Sequence, residues 1–263
     1  MSDLENRLSG PESSIRVAVV TGAAGDIGRA IAQKLNRQGF LVAACDIDLH
    51  RLAAAWNVED SGKAPEGIHL MECNVTDSES VQQATASVIS RWGRIDALVN
   101  NAATVTSSAL VGELDVADWQ STLDVNLTGA WRMASAVLPA MTQARRGVIL
   151  NMSSQLGQVG ARGRGAYGVS KAALLALTRA IAVDYADQGV RAISLSPGAV
   201  LTSRVEHRYG SAENAIATLG PRNLLGRLGT IDEVAEAACF LLSDSAAFIT
   251  GTDMLMDGGY TVV

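Results

Sequence analysis

Short apolar runs alternate with longer stretches of helical periodicity along this chain. IRVAVV (15–20), FLVAACD (40–46), IHLMEC (68–73), IDALVNN (95–101), GVILNMSS (147–154) and VRAISLS (190–196) are the apolar runs, and strands buried on both faces of a parallel sheet have this character. Between them, residues 27–38, 77–92, 115–141 and 166–188 carry Ala, Leu and Ile at helical spacing with polar breaks. That is the pattern of crossover helices with one face on a sheet. A last strand is predicted at MLM, 254–256, ahead of the DGG turn. The repeated alternation predicts an α/β chain: a doubly wound Rossmann fold with an about seven-stranded parallel sheet flanked by helices on both faces. No internal repeat or low-complexity tract interrupts it, so residues 15–263 read as one domain behind a polar tail at 1–14.

Composition narrows the function classes. With 263 residues, 48% hydrophobic and 18% charged, the chain can bury a sizeable core and is too apolar to be disordered. A formal charge of -6 without a dense Lys/Arg block gives no footprint for nucleic acid or an anionic membrane, which favours a small-molecule partner. Residues 1–14 lack the apolar stretch of a signal peptide, and no later segment reads as long enough to span a bilayer, so a cytoplasmic location is expected. Cys45, Cys73 and Cys239 are far apart and odd in number, and His50, His69 and His207 sit at no ligand spacing. A disulfide framework, a metal site and a Ser-His-Asp triad are therefore not expected.

Directly after the first strand comes TGAAGDIG (21–28), with a helix beginning near Ile27. Gly22, Gly25 and Gly28 would let the backbone approach a pyrophosphate and place it on a helix N-terminus. A glycine trio alone could be a tight turn. The second strand, however, ends in Asp46, 18 residues beyond Gly28, where an acid can hold the hydroxyls of an adenosine ribose. The competing role for Asp46, a helix N-cap shared with Asp48, fits the spacing less well. With no basic residue seen beside Asp46 to offset a 2′-phosphate, the combination favours NAD over NADP.

At this point the chain resembles the classical short-chain dehydrogenase/reductase family, from about residue 15 to the C-terminus. NNAA (100–103) is similar to the family's NNAG, Asn126 in LDVNLTG to its active-site asparagine, Ser154 in NMSS to its serine, and Tyr167 with Lys171 in YGVSK to its YxxxK pair. The Ser-to-Tyr spacing of 13 selects Ser154 over Ser153. PGAVLT (197–202) resembles the nicotinamide-side PGxxxT, and MDGG (256–259) the closing segment. The resemblance implies a catalytic set of Asn126, Ser154, Tyr167 and Lys171. It implies coenzyme contacts from Gly22, Gly25, Asp26, Ile27, Gly28, Asp46, Asn74, Val75, Asn101, Ala102, Tyr167, Lys171, Pro197, Gly198, Val200 and Thr202. The departures are Asp26 and Gly25 in a loop usually written TGxxxGIG, Asn74 where the family has Asp, and Ala103 in place of the last glycine of NNAG. Gly25 also satisfies TGxxGxxG of the extended branch, but those members resemble longer chains with a C-terminal substrate domain. Asp26 is expected to point away from a pyrophosphate or to meet it through its backbone N–H.

Tyr167 and Lys171 lie four apart on a predicted helix and share one face. A phenol is a poor base at its ordinary pKa of ~10, and a nearby ammonium is expected to lower that value. Tyr167 could then act as general base in alcohol oxidation or as acid in carbonyl reduction, with Ser154 binding the substrate oxygen beside it. From the family come two further roles: Lys171 on the nicotinamide ribose, and Asn126 supporting a water relay behind Lys171. Substrate choice is expected in a lid at about 203–226, where Arg204, His207, Arg208 and Arg222 occur. A solvated helix face is the commoner explanation of such charges. Small residues at 103–109 and 161–165 suggest a sugar, polyol or short hydroxy compound. The rivals are a 3-oxoacyl-thioester reductase and, from another class, a non-catalytic NAD-sensing protein. The resemblance implies a homo-oligomer, as a tetramer, through the tyrosine-bearing helix, which carries apolar Leu174, Leu177 and Ile181, and through the C-terminal strand region, MLMDGGYTVV.

Overall fold

The computed structural model describes residues 15–58, 63–105 and 108–262, so the polar tail at 1–14 lies outside the described residues. Seven strands form one parallel sheet: β1 (Val17–Thr21), β2 (Leu41–Asp46), β3 (Ile68–Glu72), β4 (Ala97–Asn100), β5 (Gly147–Met152), β6 (Val190–Pro197) and β7 (Asp253–Met256). Their order is β3-β2-β1-β4-β5-β6-β7, so the winding reverses between β1 and β4. In open α/β sheets ligands bind in the crevice outside the strand C-termini at this switch point.

The unbroken apolar runs are explained by the two layers that cover the sheet. Val17, Val19, Ala43, Leu98, Ile149 and Ala192 face one cluster, while Ala18, Val20, Val42, Val99, Leu150 and Ile193 face the other. The first face is covered by α3 (Ser78–Trp92), α5 (Gly129–Gln143) and α6 (Gly165–Tyr185). The second is covered by α1 (Asp26–Arg37) and α9 (Ile231–Leu242), which an ion pair from Lys34 to Glu236 also joins. Among the helices not read from the sequence are the short α2 (Leu49–Ala55), capped by Asp48, and α9. The signal for α9 was present, since Thr230 and Glu233 form a capping box ahead of an apolar run.

The continuous helix expected over 115–141 is instead α4 (Val116–Leu123) and α5 separated by a π-turn at Asp124–Thr128. One extra residue per turn rotates the side chains that follow, and such insertions cluster at functional sites. Asn126 sits in this turn, 1% exposed.

Two other expectations need correcting. Gly165–Gln188 is long and apolar enough to cross a membrane by length and composition. It is apolar because one face packs on the sheet, with Leu174, Thr178 and Ile181 buried there. For the same reason Leu174 and Ile181 belong to the core and are not available for a subunit contact, while Leu177 packs against that core and is partly buried.

The lid consists of α7 (Ser203–Tyr209), α8 (Ala212–Leu219) and a 3-10 turn at Gly220–Arg222. Its two ends meet: Val200 and Gly229 form an isolated parallel bridge, with Leu201 N donating to Gly229 O (3.0 Å) and Gly229 N to Ala199 O (2.9 Å).

Candidate active site

A cleft of about 1350 Å³ opens along the strand C-termini at the switch point, and the glycine loop, Asp46, Tyr167, Lys171 and the lid all line it. This is larger than the ~300–1,000 Å³ typical of a single small ligand; a dinucleotide and a second small molecule fit together.

At one end the β1–α1 loop forms an anion cradle. Gly22 has φ +66°, and a Cβ there would lie 2.9 Å from the Cα of Ala102. A Cβ on Gly28 would lie 2.5 Å from Gly22 O, so the loop folds tightly only with glycine at both positions. No side chain caps α1, whose N-cap is Gly25. Its first N–H groups and the positive end of its dipole therefore face the cleft, as binding of a pyrophosphate requires. Asn101 holds the loop from behind, Nδ2 donating to Thr21 O (2.9 Å) and Gly22 O (3.1 Å). Trp56, not singled out in the sequence, adds an Nε1 donation to Ala23 O (3.1 Å). Asp26 points away from the cradle, accepting from Ser203 N of the lid (2.8 Å) and from Arg29 (3.4 Å).

Asp46 is 4% exposed at the end of β2. One carboxylate oxygen accepts from Ala24 N (3.0 Å) and the other from Arg51 (2.9 Å). The absence of a basic neighbour, expected from the sequence, is thus corrected: α2 brings Arg51 one helical turn back onto the carboxylate. Asn74 uses its Oδ1 on Thr76 N (3.0 Å) and Oγ1 (2.7 Å). Ile27, Val75, Ala102, Pro197, Gly198, Val200 and Thr202 all line the cleft, with Val200 6% exposed and Thr202 capping α7 by accepting from Val205 N (3.3 Å). Two lining acceptors that the sequence did not flag, Gln155 Oε1 and Asn223 Oδ1, are buried without a partner. Buried acceptors in a native structure are normally satisfied, and the hydroxyls and carboxamide of a nicotinamide dinucleotide carry the missing donors. The residues present fit that coenzyme.

At the centre of the cleft Ser154 and Tyr167 line the wall together, close enough for the serine hydroxyl to act on the phenol. Lys171 lies one turn further along α6, its Nζ 5.6 Å from the Tyr167 ring centroid and donating to Met152 O (2.7 Å). The neighbouring Ser153 instead donates to Lys171 O (2.8 Å) and is buried, in keeping with the choice of Ser154. Asn126 Nδ2 donates to Thr104 O (3.1 Å) and Ser170 Oγ (3.0 Å), while its Oδ1 accepts from Thr104 N (2.8 Å). Both amide protons are engaged, so a water behind Lys171 has only the remaining lone pair of that oxygen and the backbone carbonyl to bind.

The electrostatics differ from the sequence expectation. Burial pushes the Tyr167 phenol above its ordinary value, against the Ser154 hydroxyl and the charges of Arg204, Arg164 and Arg208, which pull it down. Burial, reinforced by Arg204, lowers the Lys171 ammonium to about 7. Lys171 is therefore not what draws the phenol down in the protein alone; desolvation outweighs an ammonium that is itself only partly charged at neutral pH.

Residues 22–261 match a family model described as enoyl-(acyl carrier protein) reductase. The chain is 39% identical over 262 residues to a D-threitol dehydrogenase of Mycolicibacterium smegmatis, covering 99% of this chain and 96% of that one. It is 38% identical to a cis-4-hydroxycyclohexanecarboxylate dehydrogenase of Sinomonas cyclohexanicum, covering 94% and 97%. A solved structure titled gox2181 superposes with a TM-score of 0.87 at 30% identity, over 98% of this chain and 99% of that chain. With the switch-point cleft and the spaced Ser, Tyr and Lys side chains, these matches make the chain a member of the classical short-chain dehydrogenase/reductase family, an oxidoreductase acting on CH–OH groups with a nicotinamide coenzyme.

Proposed function

We propose that the protein is a cytoplasmic, NAD(H)-dependent dehydrogenase that interconverts a secondary alcohol and its ketone, with Ser154, Tyr167 and Lys171 as its catalytic residues and Asn126 as a positioning residue. The observation that carries this reading is the convergence of Ser154, Tyr167 and Lys171 on one cleft at the switch point, with the Lys171 Nζ 5.6 Å from the Tyr167 ring centroid. Nicotinamide, when bound, accepts or supplies the hydride. Ser154 holds the substrate oxygen within reach of Tyr167, whose hydroxyl returns a proton to that oxygen in reduction and whose phenolate takes it in oxidation. Lys171 bears on the ribose and, when charged, stabilises the phenolate. Asn126 fixes the π-turn against Thr104 and Ser170, holding the helix face behind Lys171 in place. Residues 15–263 act as one catalytic domain with 203–226 as its lid.

The NAD assignment rests on Asp46, a buried carboxylate that repels a 2′-phosphate and can accept from ribose hydroxyls. Arg51 weakens that discrimination without abolishing it, because the arginine side chain is 62% exposed and can turn into solvent. Titration of nicotinamide fluorescence is expected to give NADH binding at least about tenfold tighter than NADPH. In Asp46→Ala the freed Arg51 should reverse or erase that preference. Equal binding of both coenzymes by the wild type would overturn the assignment and favour a biosynthetic acyl-thioester reductase. Binding of NADH without turnover of any alcohol or ketone would favour a redox sensor.

The protein is also proposed to be a homotetramer. In place of Leu174 and Ile181, the apolar side chains left in solvent are Trp131 (53% exposed), Val169 (47%) and Val183 (81%) on α5 and α6, and Phe240 (42%) and Phe248 (104%) after the lid. Exposed apolar side chains on these elements could be covered by further copies of the chain, as a closed oligomer would do. Light scattering should give four times the chain mass for the wild type and a smaller species for Phe248→Asp; a monomeric wild type at full activity would refute the assembly.

A further inference from the structure

The substrate end of the cleft is rich in unpaired positive charge. Arg164, Arg204, Arg208 and Arg222 all line it, and none of them forms an ion pair among the described residues. The acids lining the same cleft are Asp26 and Asp46, both on the glycine-loop side and both already bonded. In a chain whose net charge is -6, a cleft end holding arginines and no carboxylate is a local reversal.

Two elements bring these charges together over Tyr167. Arg164 is the N-cap residue of α6, three positions before the tyrosine, and its segment is held by a parallel bridge to Ala109. Arg204 and Arg208 lie four apart on α7, and so project from one face of the lid. All three act electrostatically on the Tyr167 phenol. Arg164 is half-buried, and its guanidinium is held below its ordinary range by that burial and by the like charge of Arg208. Arg208 is itself exposed, so the like charges meet where the half-buried α6 N-terminus opens to the lid, and like charges brought together there repel. A fork of arginines without a carboxylate is the geometry that binds an oxyanion bidentately.

Resting on the dehydrogenase reading above, we propose that Arg164 and Arg208, with Arg204 at the rim, clamp an anionic group of the substrate. The substrate is accordingly a secondary alcohol or ketone carrying a carboxylate, sulfonate or phosphate away from the reacting carbon. Its anion bridges α6 and the lid, so binding also draws the lid toward Tyr167.

The test compares kcat/KM within three matched pairs in the presence of NAD. They are cis-4-hydroxycyclohexanecarboxylate and its methyl ester, 2-hydroxypropane-1-sulfonate and the corresponding methyl sulfone, and 2-hydroxypropyl phosphate and 1-methoxypropan-2-ol. At least one anion should exceed its neutral partner by about tenfold or more, and the largest ratio identifies the oxyanion. In Arg164→Gln/Arg208→Gln that ratio should fall towards one, chiefly through KM, and Arg164→Lys/Arg208→Lys should restore part of it. Ratios near one in the wild type, or a ratio unchanged in the double Gln variant, would overturn the clamp while leaving the dehydrogenase intact. So would a tenfold loss of NADH affinity in the double variant, which would assign the arginines to the coenzyme. If no alcohol in the panel turns over, the dehydrogenase reading is what fails. The clamp is then decided by titrating cyclohexanecarboxylate, propanesulfonate and inorganic phosphate against the NADH-bound protein: saturable binding lost in the double Gln variant supports it, and no binding overturns it.

Discussion

Tyr167→Phe is expected to lower kcat by about 10³, within the range that a positioned acid or base contributes, while the affinity for NADH changes far less. The ring remains to fill its place, so the loss isolates the hydroxyl. The pH dependence carries the sign. Because burial holds the phenol above its ordinary value, the wild type should oxidise alcohols faster as pH rises through the alkaline range, as more of the phenolate forms, and should reduce ketones better on the acid side. The variant should lose this dependence in both directions. Rates of oxidation and reduction measured from about pH 6 to about pH 10 check it. Retention of more than a tenth of wild-type kcat would remove Tyr167 from the proton transfer.

Lys171→Met is expected to make the protein inactive and more stable at once. An unfolded lysine titrates near 10.5, and this one near 7 in the fold. The folded chain therefore binds fewer protons than the unfolded chain between those two values, and wild-type stability falls as pH drops from about 10.5 to about 7 and then levels off. At neutral pH the difference amounts to about 4 kcal/mol. The lost donation to Met152 O, 2.7 Å in length, returns about 1 kcal/mol. A net gain of about 3 kcal/mol would raise Tm by roughly 5–10 °C. The gain should be largest at pH 7 and below, shrink as pH rises towards 10.5, and give way above it to a loss of about 1 kcal/mol, because the wild type is then neutral at this site in both states and only the missing hydrogen bond to Met152 O remains. Thermal melts across that range, beside a fall of about 10²-fold or more in kcat/KM, test both halves. A lower Tm at pH 7 would mean that the lysine's charge is a net stabiliser.

The side chains proposed as catalytic could be picked out from the sequence because they are set by distances along it: Tyr167 and Lys171 on one helix face, and Ser154 just past the end of a strand, 13 residues before Tyr167. The glycine loop was legible because its steric demands fall on the chain itself. Contacts that depend on which elements pack together were not. Arg51 reaches Asp46 only because α2 begins directly after β2, and Trp56 meets Ala23 only after that helix folds back on the loop. The π-turn leaves no mark in an apolar pattern, since one inserted residue shifts the phase without changing the composition. Leu174 and Ile181 illustrate a different ambiguity: an apolar stripe on a helix looks the same whether it faces a sheet or a second subunit. The arginines were visible from the start, but a solvated helix face and a charged pocket wall give the same letters, and what distinguishes them is that the arginines line the cleft while Glu206 on the same helix does not.

The base of the lid has a consequence for how this scaffold can change. Because the chain leaves the sheet at Val200 and returns beside it at Gly229, everything between is a closed excursion. Lengthening such a loop costs little, about 0.6 kcal/mol for each doubling. Its residues can be inserted, deleted or exchanged without displacing a strand or any of the side chains that move the proton. The tie from Asp26 to Ser203 N fixes only the near edge of the excursion, beside the coenzyme cradle. Under the proposed function, the sheet would hold chemistry and coenzyme while this segment could change in length and shape around them, its arginines being its one electrostatic tie to Tyr167 and Lys171.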